Sequence, residues 1–191
     1  MNIVAVIPFK YESSRLPLKN FMKIATWDHA PNLWQATYLV LKRKFAPKQV
    51  FWALDETPMC KGALLSWGIV DNVFQEVHDY PKGNTLGDKL SKFIDMMCKS
   101  GRFKGVDYVL VPQVDCWPKE EKHIETMIRF AQRHPRVDYW VCQNSDCTMN
   151  GNWRMIKLPL RQEVLGQVIG TVPIEAFEIH YEDDLKKLQE L

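Results

Sequence analysis

The chain has 191 residues, 46% of them hydrophobic and 25% charged, which suits one domain with a core of its own and leaves little room for a second. Lys and Arg number 25 against 23 for Asp and Glu, so no broad electrostatic footprint for nucleic acid or an anionic membrane is expected, and any polyanion site must be local. The opening apolar run has no basic region ahead of it and is too short for a signal peptide or a membrane span. The five cysteines, an odd count in a chain large enough to need no staples, read as reduced thiols, and the expected compartment is the cytoplasm. Cys142 and Cys147 are the closest pair, with no second Cys/His pair nearby to complete a zinc set.

In chain order, Ile3–Ile7 is apolar and β-branched, the pattern of a strand buried on both faces, and Pro8 is expected to end it. A long loop leads to a helix over Leu33–Lys44, whose Lys42-Arg43-Lys44 end suits a helix C-terminus. Val50–Leu54 reads as a strand, Pro58–Trp67 as a helix closed by Gly68, and Val70–Val77 as a third strand. Thr85–Lys99 carries a helical stripe of Leu86, Leu90, Phe93, Ile94 and Met97. A strand over Asp107–Val111, a helix over Lys119–His134 and a strand over Val137–Cys142 follow. Asn150–Trp153 reads as a turn, Met155–Leu160 and Val164–Val172 as strands at an edge or flap, and Glu182–Leu191 as a terminal helix. Alternating strands and helices predict an α/β fold: a single Rossmann-like domain over residues 1–191, its mostly parallel sheet covered by helices on both faces, with 144–181 as a smaller edge region.

The loop after the first strand, Pro8-Phe9-Lys10-Tyr11-Glu12-Ser13-Ser14-Arg15-Leu16-Pro17-Leu18-Lys19-Asn20, starts at the carboxyl end of a strand, where open parallel sheets bind ligands. It offers hydroxyls, cations and successive backbone amides to oxyanions: Arg15 as a bidentate fork, Lys19 as a mobile point charge. Neither the Gly-rich P-loop nor the dinucleotide fingerprint is present. Composition alone leaves open that this is a solvated basic surface.

Ser13, Arg15, Leu16, Pro17, Lys19 and Asn20 match the signature loop of the cytidylyltransferases that activate acidic sugars, the CMP-acylneuraminate and CMP-Kdo synthetases, and the chain resembles that family. Phe9 stands where the family has Ala, Lys10 where it has Arg, and Leu18 where it has Gly. The resemblance continues in Trp52-Ala53-Leu54-Asp55-Glu56, in Gly83-Asn84-Thr85-Leu86-Gly87-Asp88, in Gln113 and Asp115 of a segment similar to the family's Gln-Gly-Asp-Glu-Pro, and in Glu178-Ile179-His180, which replaces its Asp-Ile-Asp. It is weak between Asn144 and Pro173.

The resemblance implies a GT-A-like nucleotide-diphospho-sugar transferase fold and a metal-dependent nucleotidyltransferase that joins a nucleoside triphosphate, CTP, to an acidic sugar with release of pyrophosphate. It implies catalytic roles for Lys19 and Arg15, nucleotide contacts by Pro8, Lys10, Ser13, Ser14, Asn20, Asp55 and Gln113, and metal ligation by Asp115, Glu178 and His180. Mg²⁺ is the expected ion, and the imidazole of His180 would favour Mn²⁺. No nucleic acid or membrane partner is expected, and a homodimer is compatible with the resemblance. Each role has a plainer alternative: Asp115 as a helix cap, Gln113 as a satisfied polar residue at a strand exit, His180 as a structural histidine. Two other functions also remain open, a glycosyltransferase of the same fold that consumes a nucleotide-sugar, and a nucleotide-binding module without catalysis.

Overall fold

The computed structural model describes residues 1–13, 15–24, 31–160 and 168–190. Its central sheet has seven strands in the order β3-β2-β1-β4-β7-β6-β8: β1 (Ile3–Phe9), β2 (Val50–Leu54), β3 (Val73–Gln75), β4 (Tyr108–Pro112), β6 (Tyr139–Gln143), β7 (Met149–Lys157) and β8 (Ile169–Pro173). A separate two-stranded ribbon pairs β5 (Cys116–Trp117) with β9 (Phe177–Glu178). The helices are α1 (Leu33–Lys44), α2 (Pro58–Ser66), α3 (Leu86–Lys99), α4 (Glu121–Arg133) and α5 (Glu182–Gln189). None of the described helices is long and apolar enough to cross a membrane.

The run of apolar residues in β1 follows from its place in the middle of the sheet, where both faces are covered. Ile3, Ala5, Ile7 and Phe9 enter one core with Leu33, Trp34 and Leu41 of α1 and Ile124 and Met127 of α4. Val4 and Val6 enter a second core with Leu90, Phe93, Ile94 and Met97 of α3. Alternation along one strand thus feeds both helical layers, as the expected α/β fold requires.

Pro8 lies inside β1 rather than ending it, paired in register with Ala53. It is tolerated because β1 pairs with β4 only over Ile3–Ala5, so the missing N–H meets no ladder on that side.

The largest departure from expectation is β7. Asn150–Trp153 forms no turn but lies within this strand, and the strand, expected at an edge, is held between β4 and β6 and runs antiparallel to both. The polar residues that suggest a turn are interior here: Asn152 and Trp153 are fully buried and Asn150 is 5% exposed. Gly151 leaves room for the Gln113 amide: a Cβ there would lie 2.7 Å from its Cδ, and that side chain would have to move. The strand at this edge of the sheet is β8, and residues 164–167 of the expected strand lie outside the described residues.

Candidate active site

The first loop leaves β1 at Phe9 and is tied down from beneath. Asp55, just after β2, accepts the N–H of Tyr11 at 2.9 Å on one carboxylate oxygen and the N–H and hydroxyl of Thr57 on the other, at 3.2 and 2.8 Å. Its own N–H donates to Phe9 O at 3.0 Å. Asp55 is buried, lies outside the cavity wall and anchors the loop. At the far end, Asn20 Nδ2 donates to Lys10 O at 2.7 Å and closes the loop. Leu18 takes a left-handed conformation with φ of 57°, where the family's Gly would sit without strain, and leads into the short 3-10 turn Lys19–Phe21.

This folding brings most of the expected residues to one place. Pro8, Lys10, Ser13, Arg15, Lys19 and Asn20 from the loop, and Gln113 and Asp115 from the exit of β4, line one cavity of about 260 Å³. Ser14 lies outside the described residues. Glu12, Leu86 and Val114 also line it, none of them among the expected site residues. A second hollow of about 220 Å³ shares Pro8 and Lys10 and is walled by Gly83, Asn84, Thr85 and Lys89. The Gly83 side is fixed by Glu76, 3% exposed, which accepts the Gly83 N–H and holds Lys89 at 2.6 Å.

At the floor of the cavity the ammonium of Lys19 is paired with the carboxylate of Asp115. Lys19 is 9% exposed and Asp115 7%. The two are 96 residues apart in the chain and joined only because both follow the carboxyl ends of adjacent parallel strands, β1 and β4. Removed from water, each charge depends on the other.

Glu178 and His180 do not join them. In the β5–β9 ribbon Cys116 faces Glu178, and Ile179 N–H donates to Asp115 O at 2.9 Å. Neither Glu178 nor His180 lines the cavity. Glu178 Oε2 lies 2.9 Å from His180 Nε2, and His180 Nδ1 lies 3.2 Å from an Arg15 guanidinium nitrogen. These partners assign the ring an Nε2–H donated to Glu178 and an Nδ1 lone pair that accepts from Arg15, so neither nitrogen is spare for a metal. The expected trio of Asp115, Glu178 and His180 is therefore not assembled, and no group of three His, Cys, Asp or Glu side chains among the described residues could hold a metal ion. Of the expected trio only Asp115 lines the cavity, and its carboxylate is taken up by Lys19.

Behind Gln113 the sheet supplies a support that sequence reasoning missed. Gln113 Oε1 accepts from Arg154 at 3.3 Å, and its side chain lies against the bare backbone of Gly151. Lys119, 5% exposed, donates to Gln113 O and Asn152 O, both at 2.8 Å, and to Asn152 Oδ1, and its ammonium sits 4.9 Å from the centre of the Trp153 ring. Burial pushes its pKa down to about 8. The thiols beside it are pushed up by burial, Cys116 to about 12 and Cys142 to about 11. All five cysteines are free.

No protein-family model matches the sequence, and no curated protein matches it. Solved structures do. A CMP:2-keto-3-deoxy-manno-octonic acid synthetase complexed with CTP superposes with a TM-score of 0.68 at 16% identity, covering 98% of this chain and 97% of that one. A cytidylyltransferase from Leptospira borgpetersenii superposes at 0.66 and 14% identity, over 99% of this chain and 85% of that one. A 4-diphosphocytidyl-2C-methyl-D-erythritol synthase superposes at 0.60 and 10% identity, over 98% and 97%. With a mostly parallel sheet, helices on both faces and a charged loop at the carboxyl end of its first strand, this chain has the nucleotide-diphospho-sugar transferase fold of these nucleotidyltransferases.

Proposed function

We propose that the protein is a nucleotidyltransferase that couples a nucleoside triphosphate, CTP, to an acidic sugar in the cytoplasm and releases pyrophosphate. The observation that carries this reading is the cavity at the carboxyl ends of β1 and β4, where Lys10, Arg15 and Lys19 face a buried carboxylate. Arg15 and Lys19 bind the triphosphate, Arg15 as a fork and Lys19 as a point charge. An incoming phosphate gives Lys19 a second anion to answer, so its pair with Asp115 opens and the carboxylate is freed. Mg²⁺ held by Asp115 and phosphate oxygens would neutralise charge on the departing pyrophosphate. The oxygen of the sugar's anomeric hydroxyl forms the new bond to the α-phosphorus as the bond to pyrophosphate breaks and the hydroxyl proton passes to water, and the chain's part is to align the two and hold the charge.

One observation favours a second reading, a nucleotide-binding module without turnover. The family's second acidic position is filled by His180, and Glu178 and His180 are occupied with each other and with Arg15. Thermal-shift measurements with CTP, UTP, GTP and ATP, each with Mg²⁺, followed by pyrophosphate release on addition of sugar acids, separate the two, because a ligand that binds the folded state raises its stability. The first reading expects CTP to stabilise most and pyrophosphate to appear only with a sugar acid. Stabilisation without pyrophosphate from any sugar acid establishes the second, and no stabilisation by any nucleotide overturns both.

A further inference from the structure

Lys119 is the one buried cation in the described core whose direct hydrogen-bond acceptors are all uncharged. An ammonium has three N–H donors, and here they meet Gln113 O, Asn152 O and Asn152 Oδ1, with the Trp153 ring against the same group. Asn152 returns the tie: its Nδ2 donates to Pro118 O at 2.9 Å, its carbonyl also accepts Gln113 N–H at 3.3 Å, and its N–H donates to Asn150 Oδ1 at 3.1 Å. The result is a closed knot between the exit of β4, the segment leading into α4 and the first half of β7. The residues so held, Gln113 to Asp115, form the wall of the nucleotide cavity opposite the loop. Apart from the knot, the main chain of this turn is fastened by Cys116 N–H to Gln113 O at 3.2 Å and Ile179 N–H to Asp115 O at 2.9 Å.

We infer that Lys119 is a positioning residue, the strut that holds the Gln113–Asp115 turn in place and so sets how tightly the cavity takes a nucleotide. This rests on the nucleotide-binding reading above. Lys119 touches neither the cavity nor Asp115 directly; it acts through the main chain of Gln113 and through Asn152. Only the ammonium form has a donor for each of the three acceptors; the neutral amine has two, so one of the lysine's three ties to Gln113 and Asn152 is lost. Five groups face the lysine: Asp115 from the turn, Glu178 from β9, Cys116 from β5, Cys142 from β6 and His123 from α4. Burial outweighs the carboxylates among them and brings the loss of the proton to about 8. Both thiols lose theirs well above that range, and His123 is held below the ordinary histidine value by burial. The lysine is therefore the group of this set that changes charge on the alkaline side of neutrality.

The test is the dissociation constant for CTP with Mg²⁺, measured by calorimetry on the full chain. For Lys119→Met, which keeps the stem and removes the donors, binding at neutral pH weakens at least tenfold, about 1.4 kcal/mol, in protein whose circular dichroism shows it folded. Wild-type affinity falls as pH rises, with a midpoint near 8, and that limb is absent from Lys119→Met. Lys119→Arg does not rescue, because a planar fork cannot replace a three-way donor. A purely structural lysine would lower the melting temperature of Lys119→Met and leave the affinity of the folded protein and its pH profile unmoved, and that result overturns the inference while leaving nucleotide binding intact. If Lys119→Met does not fold, the wild-type profile decides alone, and a flat profile overturns the inference. Wild-type protein that binds no nucleotide at any pH overturns the nucleotide reading, and the inference falls with it.

Discussion

Lys119 also makes a prediction about stability that is independent of any ligand. Its folded pKa of about 8 lies below the ordinary value of 10.5, and burial is the cause. Between those two values the unfolded chain keeps the proton and the folded chain has lost it, so the unfolded state binds more protons and stability rises with pH. Below about 8 both states are charged and the cost of burying the ammonium is felt in full. Above 10.5 both are neutral and that cost is gone. At about 1.4 kcal/mol per pH unit, the gap amounts to about 3 kcal/mol. Lys119→Met removes the effect. The variant's own change at neutral pH is smaller, because Gln113 O and Asn152 O keep other donors and only Asn152 Oδ1 is orphaned, at about 1–3 kcal/mol. Urea unfolding of both proteins at steps from neutral to strongly alkaline pH isolates the lysine in the difference between them, since other titrations cancel. Wild type should gain on the variant by about 3 kcal/mol across the range. A difference that stays constant within about 1 kcal/mol would mean that the lysine is hydrated in the folded state, and the account of the knot would fail with it.

Three further outcomes follow from the site. Gly151→Ala drives its new methyl into the Gln113 side chain and breaks the contact with Arg154. The expected costs are about 1–3 kcal/mol of stability and a nucleotide affinity about tenfold weaker, which Gln113→Ala should reproduce without the stability loss; unchanged affinity in both would remove Gln113 from the site. Lys19→Ala leaves the Asp115 carboxylate buried and unpaired, at a cost of about 3–5 kcal/mol in urea unfolding, and the double variant Lys19→Ala/Asp115→Ala should recover most of it. A double variant no more stable than the single one would show that the pair is solvated. Asp55→Ala, which lies outside the cavity, strips the acceptor from Tyr11 N–H and Thr57 and should lower stability by about 1–3 kcal/mol while weakening CTP binding; calorimetry showing normal affinity would mean that the loop holds its shape without the anchor.

Much of this molecule is legible in its sequence where one periodicity decides the matter. The unbroken apolar run of β1, the Leu90-Phe93-Ile94-Met97 stripe of α3 and the basic end of α1 all announce their elements, because burial on two faces, on one stripe, or on none leaves different patterns. The meeting of Lys19 with Asp115 is legible too, from the rule that loops after parallel strands share an edge. Buried polar residues are where reading fails. Asn150, Gly151 and Asn152 carry the composition of a turn, yet they are interior because each answers a specific partner in another element. Asp55 and Lys119 have ordinary surface identities, and nothing local reveals that one secures a loop 44 residues away or that the other is enclosed. Glu178 and His180 are adjacent to the site in sequence but are taken up by each other and by Arg15, a pairing that a motif match does not contain.

The direction of β7 has a consequence for how this protein can change. In a wholly parallel sheet only strand ends and the loops after them reach the ligand edge, so specificity is altered by loop replacement. Because β7 runs against its neighbours, its middle at Trp153 lies beside the end of β4. The residues there belong to a rigid, hydrogen-bonded strand, yet they stand just behind the cavity. Point substitutions at Asn150, Gly151 or Arg154 can therefore retune the ligand wall through a fixed scaffold, with no loop to rebuild. A selection for altered nucleotide preference should collect its changes in this short stretch of strand as well as in the first loop.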